Sequence, residues 1–156
     1  MITSINLSKK QQTIKSDISL KGIGLHSGKI VNVTIQPSNV NNGIKFIRTD
    51  LIQNNIVDAL WSNVSSTNLC TTISNEKGIS ISTIEHLMSA LSGMHVDNVN
   101  ILIDGSEVPI MDGSSLPFVE LLEFSGIETQ EFDRKVILVK KEIVVSNNNS
   151  YAKIIP

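Results

Sequence analysis

Ile30-Val31-Asn32-Val33-Thr34-Ile35-Gln36 alternates apolar and polar side chains with a period of two. Successive side chains of a strand point to opposite faces, so this run makes a strand with one buried and one wet face. A chain that contains it must build a sheet and then cover one side. Pro37-Ser38 and Asn42-Gly43 punctuate the run, and Ile44-Lys45-Phe46-Ile47-Arg48 reads as a return strand. Cys70 to Ser74 and Gly78 to Ser82 have the pattern of a second hairpin around Asn75-Glu76-Lys77-Gly78. Val99 to Ile103 is a further strand, ending at Asp104-Gly105.

Two helices are available as the cover. The first begins near Ser82 and runs to Gly93, with Ile84, Leu87, Met88 and Leu91 spaced i, i+3, i+4, i+7 along one apolar stripe. The second begins near Ser114 or Ser115, with Pro117 suited to a first turn, and continues through Phe118, Val119, Leu121 and Leu122 to a C-terminal cap at Gly126. A mainly antiparallel sheet with two helices on one face is a two-layer α+β sandwich. Residues 1–127 are expected to form this first domain and 128–134 a polar connector. Lys135 to Val145, a turn at Asn147 to Ser150, and Tyr151 to Ile155 then read as one hairpin. A lone hairpin is marginal in water, so 135–156 is expected to be the truncated start of a second, similar domain.

The 156 residues are 40% hydrophobic, with thirteen Lys+Arg against fifteen Asp+Glu and a net charge of -2. That balance has no basic footprint, and nucleic acid is not an expected partner. Cys70 stands alone, so no internal disulfide and no CxxC zinc ribbon is possible within these residues. The first residues lack the apolar run of a signal peptide, and no stretch approaches the ~18 apolar residues of a membrane span. The expectation is a cytoplasmic protein.

Glu85-His86 is the most informative dipeptide: a carboxylate and an imidazole side by side serve as general base and metal ligand. The competing reading of Glu85 is a capping box, Ser82-x-x-Glu85, in which it only closes the helix start, and that of His86 is a surface histidine. At ~100° per residue, Glu85 lies ~110° and His86 ~150° from the centre of the apolar stripe. Both face away from the core. Local sequence does not complete a zinc site, which takes three protein ligands and a water. His26, His86 and His95 show no i, i+4 pairing, and Cys70, a possible ligand, has the commoner alternative of a small buried hydrophobe in a strand. Gly22-Ile23-Gly24-Leu25-His26-Ser27-Gly28 is not a dinucleotide fingerprint, because the pattern is not GxGxxG and a strand follows. Its glycines shape a turn that brings His26 and backbone N–H groups to an edge. Asp112 is a candidate site residue, with the alternative that Asp112 or Ser114 satisfies donors at the second helix start.

Ser82 to Leu91, with Val96-Asp97-Asn98 after it, resembles the zinc-helix segment of the UDP-3-O-acyl-N-acetylglucosamine deacetylases. Gly22 to Gly28, Arg48-Thr49-Asp50-Leu51 and Glu107 to Ser114 are similar to that family's other motifs, in the same order, and the resemblance runs from about Gln11 to Pro156. It implies zinc-dependent hydrolysis of the N-acetyl group of UDP-3-O-(3-hydroxyacyl)-N-acetylglucosamine in lipid A biosynthesis, with acetate released. Carried over by position, His86 is one of three zinc ligands and Glu85 the general base. His26 lies near the cleft, and Leu69 and Cys70 near the substrate, a UDP-linked acylated amino sugar; Asp112 is the further candidate for binding it.

The family's fold is two similar α+β domains with the active site between them. The other zinc ligands, a His and an Asp, belong to its second half, with a Thr that stabilises the transition state, a catalytic His and the insert forming the acyl passage. None of these is found in the 156 residues. The chain is therefore expected to hold the first half only and to be inactive alone; a split gene with a separately encoded carboxy-terminal half, a frameshift and a truncated sequence are the three explanations that stay open. The alternatives are a binding or scaffold domain without catalysis, or a decayed remnant of the enzyme.

Overall fold

The computed structural model describes residues 9–156. Its main sheet has five strands: β2 (Ile18–Ile23), β3 (Ile30–Pro37), β4 (Ile44–Arg48), β5 (Ile56–Asp58) and β9 (Val99–Ile103). Their order across the sheet is β2-β3-β9-β4-β5. The alternation in β3 does what its period requires, burying Val31, Val33 and Ile35 while Ile30 and Asn32 stay exposed. Val99, Ile101 and Ile103 of β9, Phe46 of β4, Val57 of β5 and Ile18 and Leu20 of β2 complete the apolar face.

That face is covered by α1 (Glu85–Gly93) and α2 (Leu116–Ser125). α1 contributes Leu87, Ala90 and Leu91 to the core and α2 contributes Phe118 and Leu122. Burying each large side chain stabilises by roughly 1.5–3 kcal/mol. Met88, placed on the stripe by its spacing, is only partly buried and packs against the core from its rim. α2 ends as its sequence dictates, at Gly126 with φ 74°, a backbone state that glycine adopts without a Cβ penalty. The architecture is α+β, and among the described residues no helix is long and apolar enough to cross a membrane.

Three readings of local sequence need correction. β4 does not return against β3: β9 lies between them, antiparallel to β3 and parallel to β4. The alternation in each strand specifies a buried face but not a neighbour. Residues 128–134, read as a polar connector, mostly form β10 (Ile127–Asp133), which pairs antiparallel with β1 (Lys10–Ile14). Its polarity is used for side-chain bonding. The Asn98 amide, 1% exposed, donates to Gln11 Oε1 at 2.8 Å and to Gln130 Oε1 at 2.7 Å, and its oxygen accepts from the Gly43 N–H at 2.8 Å. A buried amide so satisfied rigidifies the layer it joins. Finally, the strand expected from Lys135 to Val145 is confined to β11 (Ile143–Asn147), which pairs with β12 (Ser150–Ile154) as a hairpin.

A small third sheet, β6 (Val64–Ser66), β7 (Thr72–Ser74) and β8 (Ser80–Ile81), precedes α1. It contains the hairpin expected around Asn75 to Gly78, whose Gly78 has φ 77°.

Candidate functional site

Glu85 is the first residue of α1, and its side chain does not close a capping box. The residue before the helix is Ile84, and no side chain caps it. Ser82 Oγ turns away to donate to the Ser106 carbonyl at 3.2 Å. The Glu85 carboxylate instead accepts from the Thr71 N–H at 3.0 Å through Oε2. This bond pins the carboxylate against the strand segment that follows Cys70 and leaves Oε1 unengaged by hydrogen bonds among the described residues. Glu85 and His86 are both half-buried, off the core face where Leu87 and Leu91 sit.

The other candidates fall around this helix head. Asp112 is exposed, and its Oδ1 accepts from the Ser114 N–H and hydroxyl, each at 2.8 Å. Those hydrogen bonds hold its carboxyl below the usual carboxylate range, and the His86 imidazole, when protonated, adds to the effect. Asp112 thus both orders the loop before α2 and lies within the field of His86. Leu69 is 92% exposed with φ 64°. Cys70 is half-buried, with its sulfur 3.8 Å from the Thr72 hydroxyl. Both lie just before Thr71, so the segment bonded to Glu85 also carries Leu69 and Cys70. Beside it, Leu60, Trp61, Val64, Ile73, Met88 and Ser89 help line an apolar groove of about 470 Å³ that reaches Glu85.

His26 joins the cluster through its backbone. Its N–H and that of Ser27 donate to the Glu107 carboxylate at 2.9 and 2.8 Å. Glu107 in turn accepts from the Thr83 hydroxyl at 3.1 Å, two residues before Glu85. The turn from Gly24 to Gly28 therefore does bring N–H groups to an edge, and a carboxylate of the same chain takes them. Sequence reasoning names Glu107 only as the start of a family-like motif and gives it no role, and it does not single out Thr71. The available signal for Glu107 was an acidic residue set beside the apolar run Val108-Pro109-Ile110.

Among the described residues, no three or more His, Cys, Asp or Glu side chains gather into a group able to hold a metal ion. One half-buried imidazole with a carboxylate beside it has the donor chemistry of part of a zinc site. These residues do not make a whole one.

The fold is a two-layer α+β domain that presents Glu85 and His86 at the head of one helix. That class has a definite family: the model of the UDP-3-O-acyl N-acetylglycosamine deacetylases matches residues 11–156, and the chain belongs to that family. The UDP-3-O-acyl-N-acetylglucosamine deacetylase of Syntrophus aciditrophicus is 48% identical over 146 residues, which are 94% of this chain and 46% of that protein. Those of Wigglesworthia glossinidia brevipalpis and Mannheimia succiniciproducens are 44% and 47% identical, again over 94% of the chain and over 50% and 48% of their own lengths. The chain spans about half the length of the curated relatives it matches.

Proposed function

We propose that these residues are the amino-terminal half of a cytoplasmic, zinc-dependent deacetylase that hydrolyses the N-acetyl group of UDP-3-O-(3-hydroxyacyl)-N-acetylglucosamine in lipid A biosynthesis. Residues 135–156 are then the opening hairpin of its second domain. The observation that carries the reading is the Glu85 carboxylate, oriented by Thr71 rather than spent on a helix cap, with His86 next to it.

In this reading His86 supplies one ligand, and the remaining ligands come from the second half. Zinc, when bound, would polarise the amide carbonyl and make a water acidic enough to deprotonate near neutral pH. Glu85 takes that water's proton on its carboxylate and passes it to the departing amine as the C–N bond breaks, releasing acetate. The Thr71 N–H holds Oε2, which fixes the carboxylate's orientation. Leu69 and Cys70 border the substrate from the same segment. His26 and Asp112 stand at its edge.

The 156 residues alone, having one candidate ligand, do not turn over substrate. The test is acetate release with zinc supplied, from the chain alone and after mixing with a carboxy-terminal half of a relative. Zinc-dependent turnover only in the mixture, reduced about 10²–10⁴-fold by Glu85→Gln, is the expected result. Robust turnover by the chain alone, or a Glu85→Gln mixture within a few-fold of the unsubstituted one, overturns the assignment. A scaffold without catalysis would bind the second half and release no acetate.

A further inference from the structure

We infer that Glu107 is a positioning residue that sets how α1 presents Glu85 and His86, an inference that rests on the roles proposed for those two residues. Glu107 is 2% exposed, and among the described residues no cation pairs with it. Three neutral groups hold it instead: the His26 N–H and the Thr83 hydroxyl on Oε1, at 2.9 and 3.1 Å, and the Ser27 N–H on Oε2 at 2.8 Å. Burial raises its pKa, but these donors, together with the Ser27 hydroxyl, outweigh burial and hold it below the ordinary carboxylate range. A buried anion without a counter-ion is tolerated where hydrogen-bond donors replace the water it has lost.

The backbone around it is shaped to the same end. A Cβ on Gly24 would run into the Glu107 carboxylate and the Ser27 hydroxyl, so the close approach of the turn requires glycine there. Thr83 has φ 56° and is 2% exposed. For a β-branched residue this left-handed state is a true outlier, and it persists only where the surroundings over-determine it. The surroundings here are Glu107 and its neighbours. Ser82 N–H donates to the Ser106 carbonyl at 2.9 Å, Val108 N–H donates to the Ser82 carbonyl at 3.0 Å, and the Thr83 hydroxyl completes the clamp. Because α1 begins two residues later, the dihedral held at Thr83 fixes the direction in which the first helical turn leaves the clamp. Glu107 thereby couples the His26 turn to the helix head without reaching the substrate.

The test compares Glu107→Gln with Ile18→Ala, a core change chosen to destabilise without touching the clamp. Amide and side-chain NMR signals of the 156-residue chain are read first. Glu107→Gln is expected to shift the amides of Thr83, Glu85 and His86 and the His86 ring, which Ile18→Ala leaves in place. Thr83→Val keeps the shape and removes only the hydroxyl, so it gives the same answer if Glu107→Gln fails to fold. In a Thr83→Gly background, where a left-handed backbone is free of strain, Glu107→Gln should move the helix head less.

In the mixture with the carboxy-terminal half, kcat is expected to fall about 10–100-fold with KM within about 3-fold, as misplacement of a reacting group predicts. Helix-head signals and kcat that move no more than in Ile18→Ala overturn the inference. Glu85→Gln is run in the same assay. If it leaves turnover intact, the general-base reading fails by itself, and the NMR comparison still decides the role of Glu107 in orienting the helix.

Discussion

β3 and β11 are built from similar residues, and their surroundings could hardly differ more. In β3 alternate side chains are sealed: Val33 is 1% and Ile35 0% exposed. In β11 Ile143, Val144 and Val145 are 50%, 47% and 67% exposed, and every residue of β12 is exposed as well. Both segments are regular strands with regular antiparallel partners. The same β-rich, turn-punctuated pattern writes both ladders, but a two-stranded ladder alone is marginal in water, and burial needs a second layer from elsewhere in the chain. α1 and α2 provide that layer for the main sheet. No element within residues 9–156 provides it for the hairpin.

Core truncation breaks this comparison most directly. Leu91→Ala should destabilise the chain by about 2–5 kcal/mol, because it empties a site at 0% exposure between helix and sheet. Val145→Ala should stay within about 0.5 kcal/mol, as exposed substitutions do. Urea denaturation of both variants is the measurement. In a chain joined to its second half, the cost of Val145→Ala should rise, and an unchanged value there would show that nothing covers the hairpin.

Acid should separate the two regions by a smaller amount. The folded pKa values of Glu107 and Asp50 lie below their ordinary values, the first through its neutral donors overcoming burial and the second through the Arg48 fork at 2.7 and 2.6 Å. A depressed carboxyl stabilises the fold above its unfolded pKa of about 4 and loses that contribution as pH falls through the folded value. Urea midpoints taken between about pH 7 and about pH 3 should therefore fall, and fall less in Glu107→Gln, which has no proton to gain there. An equal acid sensitivity in the variant would place the effect at other groups.

The smallest change sharpens the account of the helix head. Ser82→Ala should cost under about 1 kcal/mol, since only a partly exposed bond to the Ser106 carbonyl is lost. It should also leave the Thr71–Glu85 bond in place. A shift of the Thr71 amide signal in that variant would revive the capping box.

These outcomes trace what the amino-acid order made legible. Period-two runs located β3, β4 and β9, and the Pro117 and Gly126 signals located α2, because strand faces and helix ends are local properties. The interposition of β9 was not legible, since both neighbours have the same alternation. Neither was β10, whose Gln130 looks like linker polarity until Asn98, 32 positions away, is placed beside it. In the site, Glu85 and His86 stood out as a pair of reactive types. Glu107 did not, because its partners His26 and Ser27 are 81 and 80 positions distant.

The central position of β9 also governs when this domain can come into being. β9 bridges β3 on one side and β4 on the other, so the halves of the sheet stay unjoined until the residues Val99 to Ile103 arrive. On a ribosome, the apolar faces of β3 and β4 emerge well before their shared neighbour and wait in water. Closing such long loops is slow, because the entropy of the intervening chain is lost before any long-range pairing compensates it. Chaperone demand during synthesis should therefore peak in the interval before β9 clears the exit tunnel, and drop once it inserts.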